Sequence, residues 1–571
     1  MIPVKILKSV LSKLDHPVEA KLLRAANDKA KKTNKTLEEV LISDQVVSDI
    51  ELYEKLAQIL DFPYISLRGR ELKKDVVALI PGPVAGTHQV VAFEKDKESV
   101  KLAMTDPTDI QTIEFLRRKT GLEPKVYVTS PGDLNEALRY YRSGIEEDLK
   151  VIQDGGVESG AGDLKKAAEE LPTVNVVNSI LEHAVYEGAS DIHIEPGEKE
   201  LIVRYRIDGI LKPVMTLPKN IQNGIVARVK ILANLKLDEH MAPQDGRFKI
   251  QISEEKLAFR VSILPVYDGE KVVMRLLHEG TKPLTLDQLG FLDKPRQIME
   301  NAIKKPHGMI LVTGPTGSGK TTTLYSVLGI LNQPGVNIST IEDPIEYRLA
   351  GVNQSQINPR VGFTFATGLR ALLRQDPNII MVGEIRDQET AEIAINSAMT
   401  GHLVLSTLHT NDAPTTLPRL IDMGVPPFLV AYTANIIIAQ RLLRKICPFC
   451  KQSYKLDSAA TAELGKVFAV EKMTKLFKTY IPDYKASENT VFYKGEGCRR
   501  CGQTGYKGRQ GIYEIMEVDS ELTKMINERA TANDIREYAR EHGMLTMFED
   551  GLIKAKTGIT SIAEVLRVTK E

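Results

Sequence analysis

The sequence predicts a multidomain α/β protein, and three observations carry that prediction. Its 571 residues are enough for about four domains at roughly 150 residues each. An apolar run, GMILVT, feeds a glycine-rich loop and a helix-forming stretch, GPTGSGKTTTLYSV, from Gly314 to Val327. That is the strand–loop–helix order of a phosphate-binding α/β core. A break rich in glycine and acids, near 144–172, separates two tracts of alternating strand and helix patterns.

Composition narrows the class. Lys+Arg and Asp+Glu are each 75, so the net charge is zero, which weighs against a dedicated nucleic-acid binder. No apolar run approaches the roughly 18 residues of a membrane span, and no secretory signal is seen, so the chain reads as cytoplasmic. The four cysteines stand in two CxxC pairs; in a reducing compartment, paired thiols argue for metal over disulfides.

Residues 1–70 read as an N-terminal helical docking domain. Ile6, Leu7, Val10, Leu11 and Leu14 share one helical face, with Lys5, Lys8 and Lys13 elsewhere. Such a face touches a membrane or a partner, or packs on its own domain; the last is the expectation. Residues 71–143 read as a second N-terminal α/β domain, with strands in HQVVAF and KLAM and a helix in PGDLNEALRYY. The segment 144–172 is expected to be a flexible linker. Residues 173–278 form an α+β unit: Val174, Val177, Ile180, Leu181, Ala184 and Val185 line a helix face, and LIVRYRIDGIL, KLAFRVSILPV and KVVMRLL alternate like strands. Residues 279–571 hold the phosphate-loop core, a tetracysteine lobe at 445–512 and C-terminal helices.

Gly314, Gly317, Gly319, Lys320 and Thr321 fit GxxxxGK[ST], with Pro315, Thr316, Ser318 and Thr322 completing the expected contact surface. Consecutive backbone N–H groups must face one point, and side chains there would block the phosphate. The following helix aims its N-terminus at the anion. Lys320 is expected at the β/γ-phosphates and Thr321 on Mg²⁺. The site therefore predicts a nucleoside triphosphate, ATP or GTP.

Three further stretches bear on what happens to it. STIEDPIEY, 339–347, packs Glu342, Asp343 and Glu346 around a proline; acids near a triphosphate orient water or metal, or they are a solvated turn. In NIIMVGEIRD, 378–387, the run Ile379 to Val382 reads as a buried parallel strand that delivers Glu384 to its carboxyl end. Gly383 stands where such motifs place the acid. In TGHLVLSTLHTND, 400–412, a strand from Leu403 to Ser406 is bracketed by His402 and His409, and His409 is a candidate γ-phosphate contact.

Cys447 and Cys450, with Cys498 and Cys501, offer four thiolates for a closed tetrahedral site, structural and not catalytic; a redox CxxC is the rival. Residues 451–497 lie between the pairs, so a lobe must fold there. In the tail, Ser561 and Glu564 have capping-box spacing before Val565 and Leu566, which reads as packing.

The order GPTGSGKT, TIEDPIEY, VGEIRD, TGHLVLSTLHT resembles the secretion ATPases of bacterial type II secretion and type IV pilus machines. ASDIHIEP, RYRIDG and QDGR match that family's second N-terminal domain. The resemblance runs from about residue 75 to the C-terminus. It implies a RecA-like P-loop ATPase core, a preceding PAS-like α+β domain, a zinc-binding insertion and an N-terminal α/β regulatory or docking region. It implies ATP and Mg²⁺ at the loop and structural Zn²⁺ on the cysteines. It also implies a cytoplasmic homohexamer, peripheral to the inner membrane, that acts on pilin-like subunits through a platform protein. By the same resemblance Lys320 and Thr321 are the phosphate and Mg²⁺ ligands, and Glu346 is the catalytic glutamate that activates water. Glu384 is the acid near Mg²⁺, His409 touches the γ-phosphate, and Arg204 reaches the nucleotide from the preceding domain. Arg206 and Arg247 are weaker candidates. The tetracysteine element and the long N-terminal region resemble the pilus-extension and type II secretion members and not the retraction members, while the length and the HTNDAP and MGVPPF text resemble pilus assembly more than type II secretion. Some assembly members bind cyclic di-GMP through repeats beginning RLG. Here TLEEVLISDQVVSDIELYEKLAQI puts Thr36, Glu38, Gln45 and Ile59 at the key places, so no cyclic di-GMP binding is expected and docking to a membrane-bound partner is. A nucleic-acid translocase and a non-hydrolysing scaffold are the rivals from other classes.

Overall fold

Hydrophobic spacing sorts the chain into separate cores, and the computed structural model draws them in two units, Met1–Glu279 and Gly280–Glu571. It describes residues 4–14, 37–44, 46–70, 72–138, 171–252, 255–278, 283–456, 468–482, 484–485, 491–498 and 501–570, with single positions at 18, 22, 23, 26, 29, 30 and 465. The expected linker, 144–172, lies outside the described residues except for its last two positions.

In the first unit, the helix Val4–Ser12 turns Leu7, Val10 and Leu11 inward, with Leu14 just beyond it, against Leu41, Leu52 and Leu56. The lysine-flanked face thus packs on its own domain. Three strands follow: β1 (Val90–Lys95), β2 (Ser99–Met104) and β3 (Glu123–Val128). β1 is antiparallel to β2 and β3 is parallel to it. Tyr64 bridges Val128, so the helical segment and this sheet share an edge.

The helix Leu171–Tyr186 buries Val177, Ile180, Leu181 and Ala184 against a second sheet, with Val174 and Val185 at its half-buried margins. Its strands are β4 (Asp191–Pro196), β5 (Glu200–Ile207), β6 (Ile210–Pro218), β7 (Gln244–Ile252), β8 (Glu255–Val266) and β9 (Gly269–His278). Their order is β6-β5-β4-β9-β8-β7, antiparallel throughout. Asp208 and Gly209 turn β5 into β6 with φ of 50° and 85°, the positive pair that favours Asp-Gly in a tight hairpin.

The second unit carries β10 (Gly308–Thr313), β11 (Ile338–Glu342), β12 (Asn353–Gln356), β13 (Ile379–Val382), β14 (Leu403–Leu408), β15 (Ala434–Ile446), β16 (Lys451–Lys455), β17 (Val491–Gly495) and β18 (Tyr506–Glu517). The main sheet runs β12-β11-β13-β14-β10-β15-β18, parallel except for β18. Alternate residues feed two cores. Leu311, Ile380 and Val404 face the helices Phe365–Leu372 and Gln388–Met399; Ile310, Val312, Met381 and Leu405 face the helix Lys320–Leu331. β10 is buried at every position, as a strand covered on both faces must be. Thr313 pairs with Leu408 and Val382 with Ser406, so the loops after β10, β13 and β14 leave from one edge. The tail helices Met547–Lys556 and Ile562–Thr569 pack Leu552, Ile553 and Val565 against Met473 and Phe477 of the lobe helix Val470–Tyr480. No helix among the described residues is long and apolar enough to cross a membrane.

Candidate active site and tetracysteine centre

β10 ends at Thr313, whose hydroxyl accepts the Thr410 amide at 2.8 Å, tying the loop's entrance to the segment after β14. The loop needs its glycines at the two tightest places. Gly314 has φ 142°, and a Cβ there would meet the Gln440 carbonyl oxygen at 2.4 Å. Gly319 has φ 90° and starts the helix Lys320–Leu331 from the left-handed region. Lys320 Nζ donates to the Gly314 carbonyl at 2.8 Å and the Pro315 carbonyl at 3.3 Å. Burial lowers its pKa and the Glu384 charge acts against that, so the two groups feel one another. Thr321, next along the helix, is half-buried, where a hydroxyl remains available to Mg²⁺.

The three acids of the 339–347 stretch separate. Glu342 is 2% exposed and accepts from Thr340 Oγ1 at 2.6 Å, from Gln354 Nε2 at 3.2 Å and from the Tyr325 hydroxyl. Burial pushes its pKa up against those donors, with the Glu346 charge adding to the rise. It braces the turn from inside. Asp343 is exposed, and Glu346 is half-buried with its backbone beside the Tyr325 hydroxyl.

Glu384 owes its position to two strands. Gly383 N–H donates to Ile341 O at 2.8 Å on β11, and Ile385 N–H donates to Thr407 O at 3.0 Å on β14. Between these anchors the Glu384 carboxylate meets His409 Nε2 at 3.0 Å and Arg386 Nη2 at 2.5 Å. Burial alone would raise its pKa, but Arg386 and His409 outweigh it and hold the group ionised. The glycine before it has a steric cause: a Cβ at Gly383 would lie 3.3 Å from both Glu342 Cα and Ile341 O. The strand expected over Leu403 to Ser406 continues to Leu408, which carries His409 to the loop's edge. His402 sits before the other end of the strand, where Nδ1 lies 3.0 Å from Ser397 O, about 20 Å of strand away. Arg386 enters the site only with the folded structure; its place two residues after Glu384 is its one mark in the sequence.

In the first unit, Arg204 Nη2 lies 2.6 Å from one Glu195 oxygen and 2.7 Å from the other, and it remains about one-third exposed. Arg206 Nε approaches Asp191 at 3.4 Å. Register places Arg206, Asp191, Arg275, Arg260 and Arg247 on one line across β5, β4, β9, β8 and β7. Arg275 Nε also bonds Asp191, at 2.9 Å. The outer sheet face therefore carries a row of four arginines against one acid. Arg260 and Arg275 occupy outward positions of strands legible by alternation, but their alignment needs the register.

The cysteines converge because β15 pairs with β18 and β16 with β17, both antiparallel, which closes the long gap between the CxxC turns. Sγ–Sγ distances are 3.8 Å for Cys447–Cys498, 4.0 Å for Cys450–Cys501 and 3.6 Å for Cys498–Cys501. A tetrahedron with Zn–S of about 2.3 Å has edges of about 3.8 Å, so the donors fit that ion. The Cys498 and Gly505 amides donate to Cys501 Sγ at 3.1 and 3.2 Å. Hydrogen bonding from Cys498 and those amides hold Cys501 down at about 4, while burial and the neighbouring thiols push Cys450 up to about 12. A divalent cation would relieve that conflict.

In the tail, Ser561 caps its helix by accepting the Glu564 amide at 3.2 Å, but the reciprocal half of the expected box is replaced. The Glu564 carboxylate instead takes Arg444 Nη2 at 2.6 Å and Arg567 Nη2 at 2.8 Å.

Residues 166–567 match the family described as Type II/IV secretion system protein, and residues 60–148 match the MshEN domain. The chain is 40% identical over 562 residues to the Type IV pilus assembly ATPase PilB of Myxococcus xanthus (strain DK1622), covering 96% of each. It is 45% identical over 494 residues to the Type II secretion system ATPase E of Vibrio cholerae serotype O1, covering 84% of this chain and 94% of that one. The X-ray structure of the Legionella pneumophila ATPase DotB shares the fold, with a TM-score of 0.50 at 22% identity over 68% of this chain and 94% of that one.

Proposed function

The chain belongs to the Type II/IV secretion system protein family and is an ATPase, and from that premise we propose that it is the motor of type IV pilus assembly. It works as a cytoplasmic homohexamer, held peripherally at the inner membrane by a platform protein, and ATP hydrolysis drives pilin-like subunits through that protein. The observation that carries the reading is the Glu384 carboxylate, kept ionised between His409 and Arg386 at the edge where the phosphate loop ends. Lys320 exchanges the Gly314 and Pro315 carbonyls for the β- and γ-phosphates. Thr321 and Glu384 would hold Mg²⁺, which would supply positive charge to the phosphoryl oxygens. Glu346 orients the attacking water, and His409 contacts the γ-phosphate. Arg204, on the PAS-like α+β domain, is the candidate cation for the charge that spreads over the γ-phosphoryl oxygens. The four cysteines hold structural Zn²⁺.

The test is paired. Purified protein should turn over ATP with Mg²⁺, and Glu346→Gln should abolish turnover while retaining nucleotide binding. The same variant should leave its host without pili. Full turnover in Glu346→Gln would sink the assignment.

Type II secretion is the second reading, favoured by the 45% identity to a secretion ATPase. Full-length coverage of the pilus relative in both directions favours the first. Neighbouring genes for pilins and a platform protein, as against a secretin and pseudopilins, decide between them. Zero net charge disfavours a DNA translocase, and DNA-stimulated turnover would revive it. We expect no cyclic di-GMP binding by residues 36–59; saturable binding in equilibrium dialysis would reverse that.

A further inference from the structure

We propose that Gln440, on β15, is a positioning residue for ATP hydrolysis that sets the direction of the phosphate-loop amides. The proposal rests on the ATPase activity and is independent of which machine the motor drives.

β15 pairs with β10 so that Ala439 stands opposite Thr313, which places Gln440 beside the first residue of the loop. Both ends of the loop rest on it. At the entrance, Gly314 lies against the Gln440 carbonyl so closely that a Cβ would fall 2.4 Å from it. At the exit, Gln440 Nε2 donates to Ser318 O at 2.7 Å, and a Cβ at Gly319 would sit 3.2 Å from the same nitrogen. A trans peptide is planar, with its C=O and N–H opposed. Holding the Ser318 carbonyl toward β15 therefore aims the Gly319 N–H the other way, into the concave side of the loop where a phosphate binds.

The surroundings argue against a packing role. Gln440 is 1% exposed and follows the apolar run Ile436 to Ala439. A buried amide in such a strand is unfavourable unless it bonds something. Among the described residues Gln440 Oε1 has no partner, and neither has the buried Ser318 hydroxyl. The Ser318 carbonyl is thus the side-chain bond that gives Gln440 its polar use. Glutamate would set a carboxylate against that carbonyl and near the phosphates. Methionine would keep the length and lose the donor.

The experiment compares Gln440→Met and Gln440→Glu with wild type in the full chain. It measures fluorescent ADP and ATP binding, KM and kcat, and the thermal midpoint with and without ADP. For Gln440→Met, Kd for both nucleotides should rise about tenfold, the usual cost of a lost buried hydrogen bond, and KM should rise more than kcat falls. The midpoint without nucleotide should stay near wild type, while the ADP-induced increase shrinks. Gln440→Glu should weaken binding further. Wild-type Kd in Gln440→Met would overturn the proposal. So would loss of kcat at unchanged Kd, or failure of both variants to fold, which would make Gln440 a packing residue.

Discussion

His409 Nε2 stands 3.0 Å from one oxygen of Glu384 while Arg386 holds the other at 2.5 Å, so one carboxylate joins the ends of β13 and β14 beside the phosphate loop. Because the bonds from Arg386 and His409 outweigh its burial, the Glu384 carboxyl is held below its ordinary value and is a negative charge suited to a divalent ion.

Replacing His409 by Ala should lower kcat by about 10²-fold or more, the scale of losing one preorganised transition-state donor. ATP binding, read by a fluorescent analogue, should persist. Lys320→Ala should instead lose both binding and turnover, and turnover retained in that variant would remove the phosphate loop from the mechanism.

The tetracysteine centre should hold about one Zn²⁺ per chain by elemental analysis. Cys447→Ser, or a strong chelator, should release it and lower the unfolding midpoint by about 10 °C, because such an ion contributes directly to folding. Metal loss with an unchanged midpoint would contradict a structural role.

Burial pushes the Glu514 carboxyl up to about 7, while its oxygen accepts the Ala413 amide at 2.8 Å. In the unfolded chain a glutamate ionises near 4.3. The folded state therefore keeps a proton that the unfolded state loses, and stability falls as pH rises from that value through about 7. Glu514→Gln should abolish this decline, leaving a variant more stable than wild type at pH 8 and comparable below pH 4. Parallel thermal melts across that range check it.

Lys554 and Asp550 form an almost fully buried pair at 2.8 Å, one turn apart on a tail helix, with Lys554 also donating to Gly511 O at 2.7 Å. Lys554→Met leaves Asp550 a buried charge without its cation and should cost about 3–5 kcal/mol. Adding Asp550→Asn should recover part of that loss. Denaturant titration of the two variants measures it.

Much of the site is local and therefore legible in the chain. The glycines at 314, 317 and 319, the lysine that follows, the apolar strand before Glu384 and the two CxxC turns each express their geometry within a few residues. The three acids of 339–347 look equivalent in sequence, yet Glu342 is spent on Thr340, Gln354 and Tyr325, while Glu346 stays half-buried near the turn's surface. His402 and His409 look equally placed until strand length and direction put them at opposite ends of β14.

The phosphate loop, the kinds of ligand its residues suit, and the order of helices and strands follow from the chain alone, because periodicity and backbone freedom are properties of neighbours along it. Which acid faces inward, why Gly383 precedes Glu384, how four arginines align across one sheet, and that Gln440 braces Ser318 emerge with the folded chain. Those outcomes depend on pairing register between distant strands, where a shift of one residue would turn each side chain to the other face.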